Sequence, residues 1–198
     1  MGISKKILMA ISRKYMWLKY GHKLGKCGDR VSLPLNCELK NPSCIYYEND
    51  VHVGNFSFFG PVLQYAGEFY SPKIKVGEKT IIGKYCSIAA IDCVEIGKNV
   101  LFAGHVHITD HSHGYEDITT PIAPQKLISK GPVIIEDDCW LGFSCEILSG
   151  VHIGKHSIVA ARAVVTKDVP PYSIVAGNPA RVVKQYNFET KQWEKVKK

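Results

Sequence analysis

Aliphatic residues recur at every sixth position through the C-terminal half of the chain. The series is unbroken and consists of Ile135, Leu141, Ile147, Ile153, Val159 and Val165. A helix repeats its apolar face about every 3.6 residues and a half-buried strand at every second residue, so neither element produces this period. A hexapeptide period predicts short straight segments joined by regular corners, which is typical of a parallel β-helix.

A second set of small or aliphatic residues follows the first by four positions. It consists of Cys139, Cys145, Val151, Ser157, Ala163 and Val169. Two inward positions per side allow three hexads to close one triangular coil of eighteen residues. The pattern recurs upstream, but it slips by two residues between Ile88 and Ile96, and Asp92 occupies a slot that should be apolar. We expect this irregular coil to line a site.

Two motifs follow the hexads, VVTKDVPP at 164–171 and AGNPAR at 176–181. With them the chain resembles the hexapeptide-repeat acyltransferases, and among these the maltose, galactoside and polysaccharide O-acetyltransferases. The resemblance implies an all-β fold, a left-handed parallel β-helix, although most crossovers in proteins are right-handed. It also implies a homotrimer that binds acetyl-CoA, the acyl donor, in clefts between subunits.

Length and composition predict one coil domain with a short helix at each end. The chain has 198 residues, of which 45% are hydrophobic, and no linker divides it. We expect the coil over 27–185, with a loop extruded at 109–132, and a C-terminal helix over 186–198 anchored by Trp193. An N-terminal helix over 1–26 is indicated by apolar residues near helical spacing, namely Ile3, Ile7, Ile11, Tyr15 and Leu18. It is expected to pack across the trimer or the coil end, and contact with an anionic membrane is the alternative.

Charge and cysteine content bear on partners and compartment. The net charge of +7 comes largely from the N-terminal helix and the final lysines, and no nucleic-acid motif is present. We therefore expect an anionic coenzyme, glycan or membrane as partner, and no nucleic acid. No apolar run approaches the roughly 18 residues that span a bilayer, which favours a cytoplasmic protein. The cysteines form no Cys-x-x-Cys pair, and we expect those in the small slots to be buried core residues in a reducing compartment.

The one long interruption of the coil is rich in proton-transfer groups, with the sequence TDHSHGYED at 109–117. Acetyl transfer from a thioester to a hydroxyl requires removal of the hydroxyl proton, and imidazole is the side chain best matched to this task. In the enzymes that the chain resembles, the base is a histidine at the start of such a segment. The resemblance therefore implies His111, with His113 as the second candidate. The carboxylates available to orient the ring are Asp110, Glu116 and Asp117.

The resemblance also implies a donor site. It carries over to Gly142, Phe143, Ala161, Thr166, Lys167, Arg181 and Lys184. The polar and cationic members of this set suit the phosphates of the coenzyme. Trp140 is expected either to wall the thioester or acceptor pocket or to pack at the trimer seam.

The acceptor side is less well matched. The asparagine with which the sugar acetyltransferases contact their substrate has no clear counterpart, and Tyr85 and Asp92 are candidates because they neighbour that region. The Asp-His-Ser-His-Gly stretch resembles enzymes that acetylate surface polysaccharides or their precursors. The leading hypothesis is direct acetyl transfer to a hydroxyl of a sugar or glycan precursor, without a resident cofactor.

Two other functions remain open on the same fold. A zinc hydratase of the γ-carbonic-anhydrase kind needs three converging histidines. His105, His107, His111 and His113 lie on one strand and its loop rather than on two adjacent coils, so we predict no metal site. A non-catalytic scaffold is the third hypothesis, and the intact histidine loop argues against it.

Overall fold

The computed structural model describes Ile11 and residues 14–196. Positions Ile3 and Ile7 of the expected N-terminal helix lie outside the described residues. The first strands are β1 (Lys26–Cys27), β2 (Glu38–Leu39), β3 (Ile45–Tyr47), β4 (His52–Val53), β5 (Phe58–Pro61), β6 (Gln64–Tyr65), β7 (Glu68–Phe69), β8 (Lys73–Val76), β9 (Ile81–Ile82), β10 (Ser87–Ala90), β11 (Cys93–Ile96) and β12 (Leu101–Phe102). They continue as β13 (His107–Thr109), β14 (Ser112–His113), β15 (Leu127–Ile128), β16 (Val133–Ile135), β17 (Trp140–Leu141), β18 (Glu146–Ile147), β19 (His152–Ile153), β20 (Ile158–Val159), β21 (Val164–Val165), β22 (Ser173–Ala176), β23 (Arg181–Asn187) and β24 (Gln192–Lys195).

The strands form a triangular coil with three parallel faces, which confirms the predicted β-helix. The first face is β1-β3-β8-β11-β16-β19, and the third is β2-β5-β10-β13-β18-β21. The second face is β4-β9-β12-β17-β20-β22, to which β23 and β24 add antiparallel strands. Along the chain the faces follow one another in the order first, second, third, and one strand from each face makes one turn of the coil. Within each face, the strand of one turn hydrogen-bonds to the strands of the turns before and after it.

Inward-facing side chains form columns along the coil axis. The column of the third face is in register through six strands and consists of Leu39, Phe59, Ile88, Ile108, Ile147 and Val165. Each of these side chains is buried. The hexad pattern therefore identifies the core residues, because one buried apolar residue on each side recurs with every turn of the coil.

Corners between faces require small residues, because successive turns of the backbone lie against one another there. A Cβ built on Gly83 would lie 2.2 Å from the carbonyl oxygen of Ala103 in the next turn. The residue that completes a corner has a left-handed backbone, as in Tyr85 (φ 58°) and His105 (φ 60°). Two corners matter for function.

We call the corner between the third and first faces the histidine corner; its successive turns contain Ile91–Asp92, Asp110–His111, Leu148–Gly150 and Thr166–Asp168. The corner between the second and third faces is the aromatic corner, and its turns contain Gly54–Phe56, Gly83–Tyr85, Ala103–His105, Gly142–Ser144 and Ala160–Arg162.

The chain leaves the coil twice at the histidine corner. The predicted loop contains an antiparallel ribbon of β14 and β15, in which His113 pairs with Leu127. A second excursion, the hairpin β6–β7 after β5, was not predicted. Because both excursions start at the same corner, they lie side by side on one edge of the coil.

The C-terminal helix predicted over 186–198 is wrong. In the described residues this segment is a β-hairpin, in which β24 pairs with β23 and Tyr186 lies opposite Trp193. The rings of these two residues pack edge to face at 5.5 Å. Tyr, Val and Trp favour strands, and pairing with β22 extends the second face instead of capping it with a helix.

The described part of the N-terminal helix buries one residue in the core of the coil. It covers 14–16 and continues as a π-helical turn at Trp17–Gly21. Met16 is the residue that it buries in the core, while Ile11, Tyr15 and Leu18 are more than half exposed on the single chain. Within the part of the chain that the structure describes, these three side chains form an apolar surface that the coil does not cover. Among the described residues, no helix has the length and apolarity needed to cross a membrane.

Neighbouring isoleucines in β16 provide a test of the core. Ile135 points inward and is 1% exposed, whereas Ile134 is partly exposed on the outside. Ile135→Ala should lower the free energy of unfolding by about 2–5 kcal/mol, because the cavity stays between rigid turns. Ile134→Ala is the matched control and should cost less than about 1 kcal/mol. Urea denaturation at one fixed protein concentration measures both, and equal losses would contradict the assignment of the inward column.

Candidate functional site

The histidine corner holds a buried carboxylate next to an imidazole. Asp110 follows the last residue of β13 and is fully buried. Its carboxylate accepts hydrogen bonds from the backbone N–H groups of Ile91 (2.9 Å) and Asp92 (2.8 Å) in the preceding turn. Its own carbonyl oxygen accepts a hydrogen bond from the Ser149 hydroxyl in the following turn. The aspartate is therefore held from both sides of the coil.

The third partner of this carboxylate is the ring of His111, whose Nδ1 lies 2.8 Å from Oδ1 of Asp110. A carboxylate only accepts hydrogen bonds, so in the neutral imidazole Nδ1 carries the proton and Nε2 has the lone pair. The His111 side chain is 12% exposed. The Thr109 hydroxyl accepts from the His111 backbone N–H and donates to its carbonyl oxygen. Position and tautomer of the ring are thus both determined by its neighbours.

The other carboxylates of the loop and His113 do not contact the His111 ring. The Asp117 carboxylate accepts hydrogen bonds from Thr119 and Thr120, which hold its pKa down to about 2. Glu116 is exposed. His113 is exposed on β14, where its ring packs against Tyr65 at 5.2 Å between centroids. Of the three carboxylates left open by the sequence, Asp110 is the one in contact with His111.

The two excursions are joined to each other by tyrosine side chains. The Tyr65 hydroxyl donates to the carbonyl oxygen of Ala123 (2.7 Å), and the Tyr70 hydroxyl accepts from the backbone N–H of Leu127 (3.0 Å). Between them lies a cleft of about 560 Å³. Its lining includes Ser112, the residue after His111, and Ser149, whose hydroxyl donates to the Asp110 carbonyl oxygen, so the cleft adjoins the histidine corner although Asp110 and His111 do not line it.

The residues implied for donor binding fall on two different edges of the coil. Thr166 and Lys167 follow β21 at the histidine corner and are exposed. They lie two turns beyond Asp110, a distance of about 10 Å from the usual strand spacing. Gly142, Phe143 and Ala161 lie at the aromatic corner, where a Cβ on Gly142 would come within 2.6 Å of the backbone nitrogen of Ala161.

The cations implied at the chain end lie close to the aromatic corner. Arg181 and Lys184 are on β23, beside β22. Arg181 is exposed and donates from Nη1 to the carbonyl oxygen of Ala180 (2.8 Å), whose own N–H bonds to Val164 just after that corner. Within one chain, these cations and the corner residues therefore form a group separate from His111, Thr166 and Lys167.

The three residues suggested for the acceptor also separate. Asp92 is at the histidine corner and donates its backbone N–H to Asp110. Tyr85 is at the aromatic corner, stacked between Phe56 (4.9 Å) and His105 (4.8 Å). Trp140 is 48% exposed on the outside of the second face, between Leu101 and Ile158. Of the three, Asp92 is the one that contacts Asp110, the hydrogen-bond partner of His111.

The remaining histidines and the cysteines have other surroundings. His105 lies between Tyr85 and Phe143, and His107 lies 3.9 Å from Glu146. In Ile11 and 14–196, no three His, Cys, Asp or Glu side chains form a group that could hold a metal ion. Burial raises the pKa of the Cys145 and Cys37 thiols to about 12, as expected for inert core residues.

Comparison with known proteins agrees with this architecture. Residues 132–167 match the family described as bacterial transferase hexapeptide (six repeats). Over 174 residues the chain is 35% identical to an Escherichia coli K12 protein whose name assigns it to lipopolysaccharide biosynthesis as the O-acetyl transferase WbbJ, covering 81% of this chain and 85% of the relative. The chain belongs to the hexapeptide-repeat acyltransferases. It is an acetyl-CoA-dependent enzyme with a left-handed coil, as the sequence implied.

Other proteins are similar to this chain in sequence or in fold. A Lysinibacillus sphaericus protein named as a macrolide acetyltransferase is 39% identical over 56% of this chain and 62% of its own length. The fold matches the N-acyltransferase AntD from Bacillus cereus, solved with dTDP and 3-hydroxybutyryl-CoA, with a TM-score of 0.72, 17% identity and coverage of 89% and 90%. It also matches a maltose O-acetyltransferase from Clostridium difficile 630, with a TM-score of 0.56, 24% identity and coverage of 90% and 88%.

Sequence reasoning missed the hairpin β6–β7 and its contact with the histidine loop. One signal was present in the sequence. The ten residues from Val62 to Ser71 break the aliphatic pattern and contain Ala66-Gly67, a turn pair whose residues both adopt positive φ. Periodicity shows where a chain leaves the coil, but it does not show which excursions meet.

Replacement of the buried carboxylate tests the pair. Asp110→Asn replaces one carboxylate oxygen with an NH₂ group, which cannot accept a hydrogen bond from a neighbouring N–H. We therefore expect kcat to fall by about 10²- to 10⁴-fold. The KM for acetyl-CoA should stay within about twofold, since no donor group is touched. Loss of one of the two backbone hydrogen bonds, with an N–H group left facing the new NH₂, should also lower the free energy of unfolding by about 1–3 kcal/mol. Asp117→Asn, in the same loop, is the control and should keep full activity. A full-rate Asp110→Asn enzyme would show that His111 needs no carboxylate.

Proposed function

We propose that the protein is an O-acetyltransferase that transfers acetyl from acetyl-CoA to a hydroxyl of a sugar or surface-polysaccharide precursor in the cytoplasm. The Asp110–His111 pair is the observation that carries the proposal, because an imidazole with a free Nε2 is suited to activate a hydroxyl. The lipopolysaccharide assignment of the Escherichia coli relative supports a glycan as acceptor. All seven cysteines are unpaired, which fits a reducing compartment.

The reaction needs no acyl-enzyme. Nε2 of His111 takes the proton of the acceptor hydroxyl while the oxygen attacks the thioester carbonyl carbon. The tetrahedral intermediate then collapses with cleavage of the C–S bond. The thiolate of coenzyme A takes the proton from the imidazolium, which leaves an acetyl ester, free coenzyme A and neutral His111. Asp110 stabilises the imidazolium between these steps and keeps the ring in place.

We further propose a homotrimer in which each site is shared by two subunits. The histidine corner and the aromatic corner each hold part of the implied donor site, and they are different edges of one coil. The histidine corner of one subunit facing the aromatic corner of its neighbour would unite the two parts. Exposed apolar side chains on the second face support such packing, in a row formed by Ile81, Leu101 and Trp140. In this arrangement Trp140 and Tyr85 serve the subunit seam and the neighbour's cleft.

The catalytic base is tested by paired histidine variants. His111→Ala should lower kcat by about 10²- to 10⁴-fold and leave the affinity for coenzyme A nearly unchanged. His113→Ala, in the same loop, should keep most of the activity because its ring faces Tyr65. Acetylation can be followed by release of coenzyme A and by the mass of the acceptor. Inactive His113→Ala with active His111→Ala would move the base to His113, and two active variants would refute the mechanism.

Shared sites are tested by mixing subunits. Arg181→Ala should raise the KM for acetyl-CoA. The loss corresponds to about 1.5–3 kcal/mol of binding free energy, the usual value of a charge-assisted contact, and should depend on salt. Under subunit exchange, His111→Ala and Arg181→Ala proteins should together regain part of the wild-type activity, because some clefts then receive both intact residues. Each variant mixed with itself is the control. A stable, active monomer in solution mass measurements would rule out the shared site.

A further inference from the structure

The cleft between the two excursions adjoins the histidine corner. It contains side chains of both signs and two aromatic rings, contributed by Glu68, Tyr70, Tyr115, Glu116, Lys126 and Lys130. Its volume of about 560 Å³ lies within the range of small-molecule sites. None of these six residues was singled out for acceptor binding by the sequence.

We propose that this cleft is the acceptor subsite and that it takes a neutral oligosaccharide segment rather than a nucleotide-linked sugar. The inference rests on the proposed O-acetyltransferase function and adds the class of acceptor to it. It also assigns acceptor selectivity to the hairpin β6–β7, which supplies one wall.

The position of the cleft suits the reaction. Ser112, next to His111, and Ser149, bonded to Asp110, both line it. Thr166 and Lys167 of the implied donor site lie one further turn along the same corner. His111 itself is not part of the lining, so the cleft would hold the body of the acceptor while the reacting hydroxyl extends past Ser112 and Ser149 toward the imidazole.

The charge balance of the cleft indicates a neutral ligand. Two carboxylates, Glu68 and Glu116, and two ammonium groups, Lys126 and Lys130, give formal charges that cancel. Carboxylates accept hydrogen bonds from sugar hydroxyls and ammonium groups donate to them, so a polyhydroxylated ligand satisfies both. A nucleotide diphosphate would bring several negative charges to a surface whose formal charges cancel, so the cleft offers it no net electrostatic attraction.

The aromatic rings and the rigidity of the hairpin support the same assignment. Tyr115 is exposed, and the ring of Tyr70 is held by its hydroxyl against the Leu127 backbone. Such rings offer an apolar surface to the C–H face of a sugar. Because Tyr65 and Tyr70 fix the hairpin to the histidine loop, Glu68 at its turn keeps a defined place in the wall.

The test compares acceptor classes and one matched pair of variants. Neutral disaccharides and trisaccharides, the free monosaccharides and the corresponding nucleotide sugars are each supplied with acetyl-CoA to the wild-type protein. Addition of one acetyl group is measured by mass. We expect the neutral oligosaccharides to be used with kcat/KM at least about tenfold above that of the nucleotide sugars.

Glu68→Ala should then raise the KM for the preferred oligosaccharide by about 10- to 100-fold, as for loss of a hydrogen bond to a charged group. The KM for acetyl-CoA should be unchanged. Glu38→Ala, an exposed carboxylate on β2 outside the cleft, is the control and should change neither constant. Equal thermal midpoints show that the variants are folded.

The failures of the two proposals are distinguishable. Preference for nucleotide sugars, or oligosaccharide acetylation that is indifferent to Glu68→Ala, would overturn the cleft assignment while leaving the His111 mechanism intact. Absence of acetyl transfer to every saccharide, or saccharide acetylation that survives His111→Ala, would overturn the proposed function itself and with it the acceptor subsite.

Discussion

Every turn of this coil depends on the next turn for its backbone hydrogen bonds. A strand of two residues has almost no stability alone, and the columns of inward aliphatics are covered only when successive turns keep register. Insertions are therefore tolerated at corners, where the chain can leave and return without breaking a ladder. Both excursions of the protein start at one corner, and the candidate site lies where they do.

This constraint explains the unusual role of Asp110. Where the chain leaves the coil, the N–H groups of Ile91 and Asp92 in the turn before have no strand opposite them, and buried N–H groups require a partner. The Asp110 carboxylate accepts both. The same carboxylate then holds the His111 ring. The carboxylate that accepts these unpaired backbone N–H groups thus also orients the proposed base. The geometry of the site therefore depends on the stacking of the turns.

A single coil offers flat faces and narrow edges, and this shape limits what one subunit can enclose. The implied donor residues follow two edges, and an apolar row on the second face is left uncovered. The proposed trimer concerns the donor site, and the proposed cleft concerns the acceptor site. Packing between subunits would complete the donor site, whereas the two excursions form the acceptor wall within one chain.

The sequence by itself determined the coil, the aliphatic positions that face its core and the interruption that contains His111. This was possible because each turn repeats the same local environment, so a buried position recurs at a constant interval. It did not determine the C-terminal hairpin, since the strand preference of Tyr186 and Trp193 is a weak signal without a neighbouring strand, and the edge of β22 supplies that neighbour. The partner of His111 and the contact between the two excursions were likewise decided by tertiary structure. Residues such as Ile91 and Asp110, or Tyr70 and Leu127, are distant in sequence, and only the stacking of turns brings them within hydrogen-bonding distance.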